Sequence, residues 1–444
     1  MSRHGGRTAA AGPLLMFLGF SLLGIFVFFV QVDIGGQSSI PIDHMTAFLK
    51  RVLSPYYAWI LAVMAGCSVA SRFRGGSGRS RADTLFFAQS LVGLALSVSA
   101  ALRLLPDGLG GAVDAAVNAT GNILCAIFVT GIFVPLLTEY GLVDFFSILC
   151  RPFMRRLFLT PGSSAVIGVS AFLGNYSVGH IVSRRMYDEG SFTEKEAVIV
   201  ATGFSTCSIG LMINLANYTG IMDHWRLYVT MVLIVTFLAT AAAARLYPIS
   251  RKSSAYREGT VPAQEERPGD HIFRAALDAG VSRAARAAPP PESARVFLRQ
   301  TMPLICEIAG ASMCVISIGM LCAGASHLFR YVGALFYPLL RLAGLAAADA
   351  LHTAECLGAS LLEPVLAGVI SDGWSGQAIA RWIVSVVPYS SIIFFAGSIP
   401  SLWKSGIHCK IWEMLLIWLE RALLGIVFTA LLFRLACWTG LLQY

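Results

Sequence analysis

Charge is scarce in this chain. Only 13% of its 444 residues are Asp, Glu, Lys or Arg, while 56% are hydrophobic. A soluble domain carries about 25% charged residues, so this composition excludes a soluble enzyme domain. Catalytic signatures are absent as well: there is no HExxH, no GxSxG, no Walker A lysine and no glycine-rich dinucleotide pattern, and the chain is not expected to be an enzyme. The ten cysteines form no CxxC pair, which argues against zinc sites and a disulfide framework and leaves most of them as small buried hydrophobes. No metal or other cofactor is expected. The net charge of +8 comes from basic residues scattered between apolar stretches, where it reports topology and anionic lipid and not nucleic acid.

What the chain does have is long apolar runs. A membrane helix needs about 20 apolar residues, and such stretches fall at 13–31, 56–71, 84–105, 112–137, 195–219, 227–248, 299–324, 377–400 and 411–436. The first is longer than a signal-peptide core and lacks a small-x-small cleavage site, so it reads as an uncleaved span. Two more apolar segments, 161–182 and 345–371, are interrupted by Gly168, Ser170, Gly174 and Asn175, and by Asp349, His352, Glu355 and Gly358. Each reads as a re-entrant hairpin. Arg151, Arg155 and Arg156 precede the first of them and Arg184 and Arg185 follow it; cytoplasmic loops collect Lys and Arg, and a hairpin leaves both clusters on one side.

The fold expected is therefore an all-α polytopic membrane protein with about nine spanning helices and two re-entrant hairpins. Aligning Gly174 with Gly358 brings Asp188 onto Asp372 and Thr206-Cys207 onto Ser390-Ser391. Each unit reads as a span, an interfacial segment, a hairpin, and a span with a polar middle; the loop charges make the two units inverted, a transporter construction. The expected domains are 1–111, an N-terminal three-helix membrane region; 112–248, the first repeat; 249–297, a linker; and 298–436, the second repeat with the final helix. Residues 271–287 have an amphipathic pattern suited to anionic lipid. The linker as a whole, with its interleaved charges and Pro289-Pro290-Pro291, reads as a disordered cytoplasmic connector.

The runs Gly19-Phe20-Ser21-Leu22-Leu23-Gly24 and Ser39-Ile40-Pro41-Ile42-Asp43-His44, the turn Tyr187-Asp188-Glu189-Gly190-Ser191-Phe192-Thr193-Glu194, and Ala201-Thr202-Gly203-Phe204-Ser205-Thr206 resemble the YjiH-like membrane proteins. These are grouped with the nucleoside-recognition or Gate domains, which include the gate portions of concentrative nucleoside and ferrous iron transporters. The resemblance implies a multi-pass protein of the bacterial cytoplasmic (inner) membrane. It implies no particular substrate, and the nucleoside transporters' binding residues have no close counterpart here.

Ionisable groups in hydrocarbon are costly, about 2.5–3.5 kcal/mol on insertion scales, so each marks a functional candidate. Glu307, about nine residues into its span, reads either as an H⁺ or Na⁺ coupling site or as a structural carboxyl bonded to a neighbour such as Asn122. His352 and Glu355 on the second hairpin, Asn175 and Tyr176 at the tip of the first, and the polar middles Ser205-Thr206 and Ser390-Ser391 are the substrate-binding candidates. Hydroxyls of this kind also bond their own backbone or pack helices. The set offers amides and hydroxyls with no midplane Arg or Lys, which favours neutral or zwitterionic solutes. Two functions stay open: a secondary transporter of a small polar solute, nucleoside-like in class and coupled to H⁺ or Na⁺, or a non-transporting oligomeric scaffold or sensing protein. Its partners are then the lipid bilayer, a small solute and a second copy of itself.

Overall fold

Helix dominates the computed structural model, which describes residues 5–74, 81–173, 176–204, 209–260 and 271–443. The N-terminal region holds α1 (Gly5–Phe29), α2 (Pro41–Leu53), α3 (Tyr57–Arg74) and α4 (Arg81–Ala101), with a small hairpin of β1 (Val32–Ile34) and β2 (Gln37–Ser39) after α1. The apolar runs 13–31, 56–71 and 84–105 fall on α1, α3 and α4, and α2 is a further helix leading into α3. Pro41 starts α2, where its fixed φ and missing N–H suit the first helical position, and the helix buries Ile42, Asp43 and Thr46.

Two units of matching order follow. The first comprises α5 (Asp107–Phe133), α6 (Pro135–Thr138), α7 (Leu142–Phe153), α8 (Ser164–Leu173), α9 (Tyr176–Asp188), α10 (Glu194–Gly203), α11 (Ile209–Thr219) and α12 (Trp225–Ala243). After α13 (Ile272–Ala284) comes the second: α14 (Pro290–Ala325), α15 (Leu328–Gly333), α16 (Tyr337–Leu342), α17 (Ala347–Ser360), α18 (Pro364–Ile370), α19 (Ala378–Ser391), α20 (Ser398–Ser405) and α21 (Ile411–Trp438). The order in each is long helix, short helices, helical hairpin, broken helix, long helix.

The units are inverted. Gly131, near the end of α5, lies against Phe297 and Leu298, near the start of α14, so these equivalent helices run antiparallel. The end of α12 likewise meets the start of α21, where Tyr247 stacks on Trp412 at 6.2 Å. Reciprocal packing follows: α11 packs on α18, and α20 packs on α9. Among the described residues, seven helical stretches are long and apolar enough to cross a membrane: Gly12–Phe29, Pro41–Ser71, Thr84–Ala101, Gly108–Phe133, Met222–Ala243, Ile305–Gly324 and Ile411–Trp438. Segments 195–219 and 377–400, expected as spans with polar middles, contain the paired helices α10/α11 and α19/α20.

Each hairpin returns to the end it came from. The first stands on the segment after α12: Arg245 Nη1 donates to Leu157 O at 2.7 Å and Arg257 Nη1 to Asp188 Oδ1 at 2.6 Å. Arg184 and Arg257 together hold the Asp188 carboxyl below the usual carboxylate range. The second hairpin stands at the opposite end. Ala346 N donates to Gln377 Oε1 at 2.7 Å, and Arg381, close by in α19, lies beside Gly220, just before α12 begins.

The linker departs from expectation. Residues 272–284 form α13, docked on α7 and α1. Ala276, Gly280 and Ala284 are buried at four-residue spacing, a small-residue stripe that lets backbones approach closely. A Cβ on Gly141 would come within 2.1 Å of Gly280 O. Phe273 meets Phe145 edge-on at 5.7 Å, and Arg283 pairs with Glu139 at 2.6 Å. The proline run also ends in order, since Pro290 begins α14.

Candidate functional site at the helix breaks

Local sequence creates the breaks. A capping box starts α10: Thr193 Oγ1 accepts from Glu196 N at 3.2 Å, and Glu196 Oε2 accepts from Thr193 N at 2.8 Å. The helix ends at Gly203, ahead of residues 205–208. In α19, Pro388 removes one backbone donor, and the helix stops at Ser391 before Ile392, whose φ of +66° is left-handed. Both helices therefore expose C-terminal carbonyls inside the bundle, where each unmet polar group is expensive.

The second hairpin's tip closes on the α19 break. Phe395 N donates to Leu361 O at 2.9 Å and Ala396 N to Leu362 O at 3.0 Å. Ser398 Oγ accepts from Phe394 N at 2.7 Å. Beside these strand-like contacts lies Glu363, 8% exposed, immediately before Pro364 at the start of α18. The tip thus carries a buried carboxyl, which the backbone N–H of Val365 in the first turn of α18 reaches.

Arg421 occupies the junction of the two breaks. It is 1% exposed and sits about 15 Å along α21, near the centre of a hydrocarbon core about 30 Å thick. Its Nε and Nη2 donate to Ser390 O at 3.0 and 2.6 Å, and its Nη1 donates to Thr240 Oγ1 at 2.9 Å. The Thr240 hydroxyl bridges onward to Gly203 O at 2.9 Å and shares its proton with Thr236 O at 2.7 Å. One guanidinium therefore serves the C-terminal ends of both α19 and α10. The expectation of no midplane Arg or Lys fails here, and with it the argument that favoured neutral or zwitterionic solutes over anions. Arg421 was legible in sequence as an ionisable residue in the middle of the run 411–436.

The other candidates fall in different places. Ser390 and Ser391 lie at the α19 break, but their hydroxyls bond back to Val387 O and Pro388 O, both at 3.1 Å. Glu355 faces α15, where Arg330 Nε donates to its Oε2 at 2.9 Å. His352 lies nearer the hairpin foot, its ring 4.4 Å from that of Trp374. Glu307 is half-buried on α14. Gly319 of the same helix meets Leu362 and Leu366 of the second hairpin, so that contact lies about 18 Å along α14 from Glu307. Asn122, the neighbour suggested for it, accepts from Tyr57 OH at 3.1 Å and donates to Tyr218 OH at 3.4 Å. Asn175, Ser205, Thr206 and the side chain of Tyr176 lie outside the described residues.

A second polar cluster joins α2 to α11, and in it Asn214 and Asn217, readable in the sequence as lining the path or capping their helix, bond to α2 instead. Asp43 accepts from Ser39 Oγ at 2.8 Å and Asn217 Nδ2 at 3.0 Å, while Lys50 Nζ donates to Asn214 Oδ1 at 3.4 Å. With Tyr218, these asparagines give α11 one polar face, which binds α2 and α5. Their helical spacing at 214, 217 and 218 was the available signal. Among the described residues no group of three His, Cys, Asp or Glu side chains is placed to hold a metal ion.

Residues 121–223 match the family model described as Gate, nucleoside recognition, a stretch that runs from within α5 to just before α12. An uncharacterized protein of Alkalihalophilus pseudofirmus is 24% identical, with 94% of each chain covered. Among solved structures, a variant of CNTnw in an outward-facing state is similar at 16% identity and a TM-score of 0.44, covering 96% of this chain and 91% of that one. CNTnw in an inward-facing, substrate-bound state is similar at 14% identity and a TM-score of 0.42, covering 97% of this chain and 96% of that one.

Proposed function

We propose that this multi-pass membrane protein is a secondary transporter of a small polar solute, nucleoside-like in class, driven by an H⁺ or Na⁺ gradient. The observation that carries this reading is the pair of inverted units, each with a hairpin entering from its own end and a helix broken near the bundle's middle. Two similar units of opposite direction give two states of nearly equal energy that open to opposite faces, and irregular backbone at membrane depth is tolerated where it lines a protected cavity. The Gate match over the first hairpin and broken helix supports the solute class.

Solute would approach where the second hairpin tip, with Glu363, meets the α19 break, and Asn175, Tyr176, Ser205 and Thr206 are the substrate contacts proposed from the first unit. His352 and Glu355 would act from the hairpin shank, and Glu307 as the ion-coupling group of the outer layer. The basic residues at the first hairpin's foot support a cytoplasmic orientation for that face, in a bacterial inner membrane. The test is uptake into vesicles reconstituted with the purified protein, using labelled uridine and adenosine with imposed Na⁺ or proton gradients. Concentrative uptake that collapses with the gradient is the expected result. Vesicles that neither accumulate nor exchange any nucleoside, base, amino acid or dipeptide would overturn the transport reading in favour of a scaffold.

A further inference from the structure

We infer that Arg421 is a built-in cation: its guanidinium fills the place at the two inward-facing helix C-termini that a bound monovalent cation would otherwise have to fill. The argument begins with the breaks. A helix C-terminus carries a partial negative charge, equivalent to roughly half an elementary charge, and α10 and α19 both end in the interior of the bundle. Water is excluded there: Ser390, Thr240 and Arg421 are all nearly fully buried. Broken helices in membrane proteins commonly use such carbonyl ends to coordinate Na⁺. Here the carbonyl of Ser390 receives two N–H groups from Arg421, and that of Gly203 is reached through Thr240.

The charge balance at this spot fits a cation site and not an ion pair. No carboxylate among the described residues forms a salt bridge with Arg421. Its neighbour Glu420 has a buried Oε2 with no hydrogen-bond partner, so it is not drawn to the guanidinium. A buried arginine stays protonated, and an uncompensated buried charge is strongly destabilising unless dipoles of opposite sign surround it. The two helix ends are those dipoles. Close packing completes the fit, since a Cβ placed on Gly425, one turn beyond Arg421, would lie only 3.1 Å from Ser390 Oγ. Because the cation is covalently attached, it cannot leave with the gradient. Any Na⁺ that drives transport must then bind elsewhere, and the junction itself works without it.

Thermal unfolding of the purified full-length protein tests this without solute or transport, so its failure would leave the transport reading standing, and failure of transport would leave this one. Wild type, Arg421→Lys and Arg421→Met are compared in choline, sodium and potassium chloride at equal ionic strength, and with millimolar methylguanidinium. Wild type and Arg421→Lys should unfold at nearly the same temperature in every salt. Arg421→Met should unfold several degrees lower in choline chloride and recover saturably with sodium or methylguanidinium. If Arg421→Met does not fold at all, wild-type behaviour of Arg421→Lys still supports the inference. It is overturned if Lys is as damaging as Met, if Met matches wild type in choline chloride, or if a folded Met variant gains nothing from any small cation.

Discussion

Ile392 holds a φ of +66° with its side chain 1% exposed, so at this residue burial and backbone preference oppose each other. A β-branched residue in the left-handed region is strained by about 1–3 kcal/mol, while burying an isoleucine side chain contributes about 1.5–3 kcal/mol. The two are close, which lets the break persist. Replacing Ile392 by Ala keeps the strain and loses most of the burial; replacing it by Gly loses slightly more burial but relieves the strain. Elsewhere Gly is the worse of the pair by about 0.5–1 kcal/mol. At position 392 the order should reverse, with Ile392→Gly more stable than Ile392→Ala by about 1 kcal/mol in chemical unfolding. The ordinary order would show that the left-handed turn is not part of the folded protein. Such strain at a helix break is typical of ligand clamps and switches, consistent with placing the solute here.

Among the elements, α13 departs furthest from what its sequence suggested. Its charged residues, Arg274, Asp278 and Arg283, match a solvated connector, and its apolar content is modest. What docks it is the Ala276, Gly280, Ala284 stripe, which permits a backbone approach to Gly141 that larger residues forbid. A Cβ on Gly280 would meet Phe17 at 2.9 Å and Gly141 O at 3.1 Å, so Gly280→Leu cannot be accommodated without separating α13 from α7 and α1. Overpacking of this kind costs about 1–3 kcal/mol. The expected result is new trypsin cleavage at Arg274 and Arg283 in the folded variant, with the wild type resistant at both sites. Equal resistance would mean that α13 docks by its charges, chiefly the Arg283–Glu139 pair, and not by its small face. The helix also ties the connector to the first unit and the N-terminal helix, so the link between the repeats is held against the bundle.

For the molecule as a whole, inversion makes a directional prediction. Cysteines placed singly as Arg156→Cys and Arg185→Cys, on either side of the first hairpin, should react with a membrane-impermeant thiol reagent from one face, and Asp372→Cys, after the second hairpin, from the other. Reaction of the first two from opposite faces would make 161–182 a full crossing and remove the inverted arrangement. Composition and hydropathy alone determined the all-helical membrane character, the order of features in each unit and the two hairpins, because a window of about 20 residues registers apolar length, and interruptions by Gly and charge are local signals. Tertiary structure alone decided where 195–219 and 377–400 stop being helix, since a free carbonyl is tolerated only when a partner far along the chain satisfies it. For Ser390 that partner is Arg421, and for Gly203 it is Thr240. The arginine was visible in the sequence as a costly residue in an apolar run. That its charge serves two helix ends could not be read there, because electrostatic partnership depends on distance in space, and these groups meet only once the two inverted units have packed.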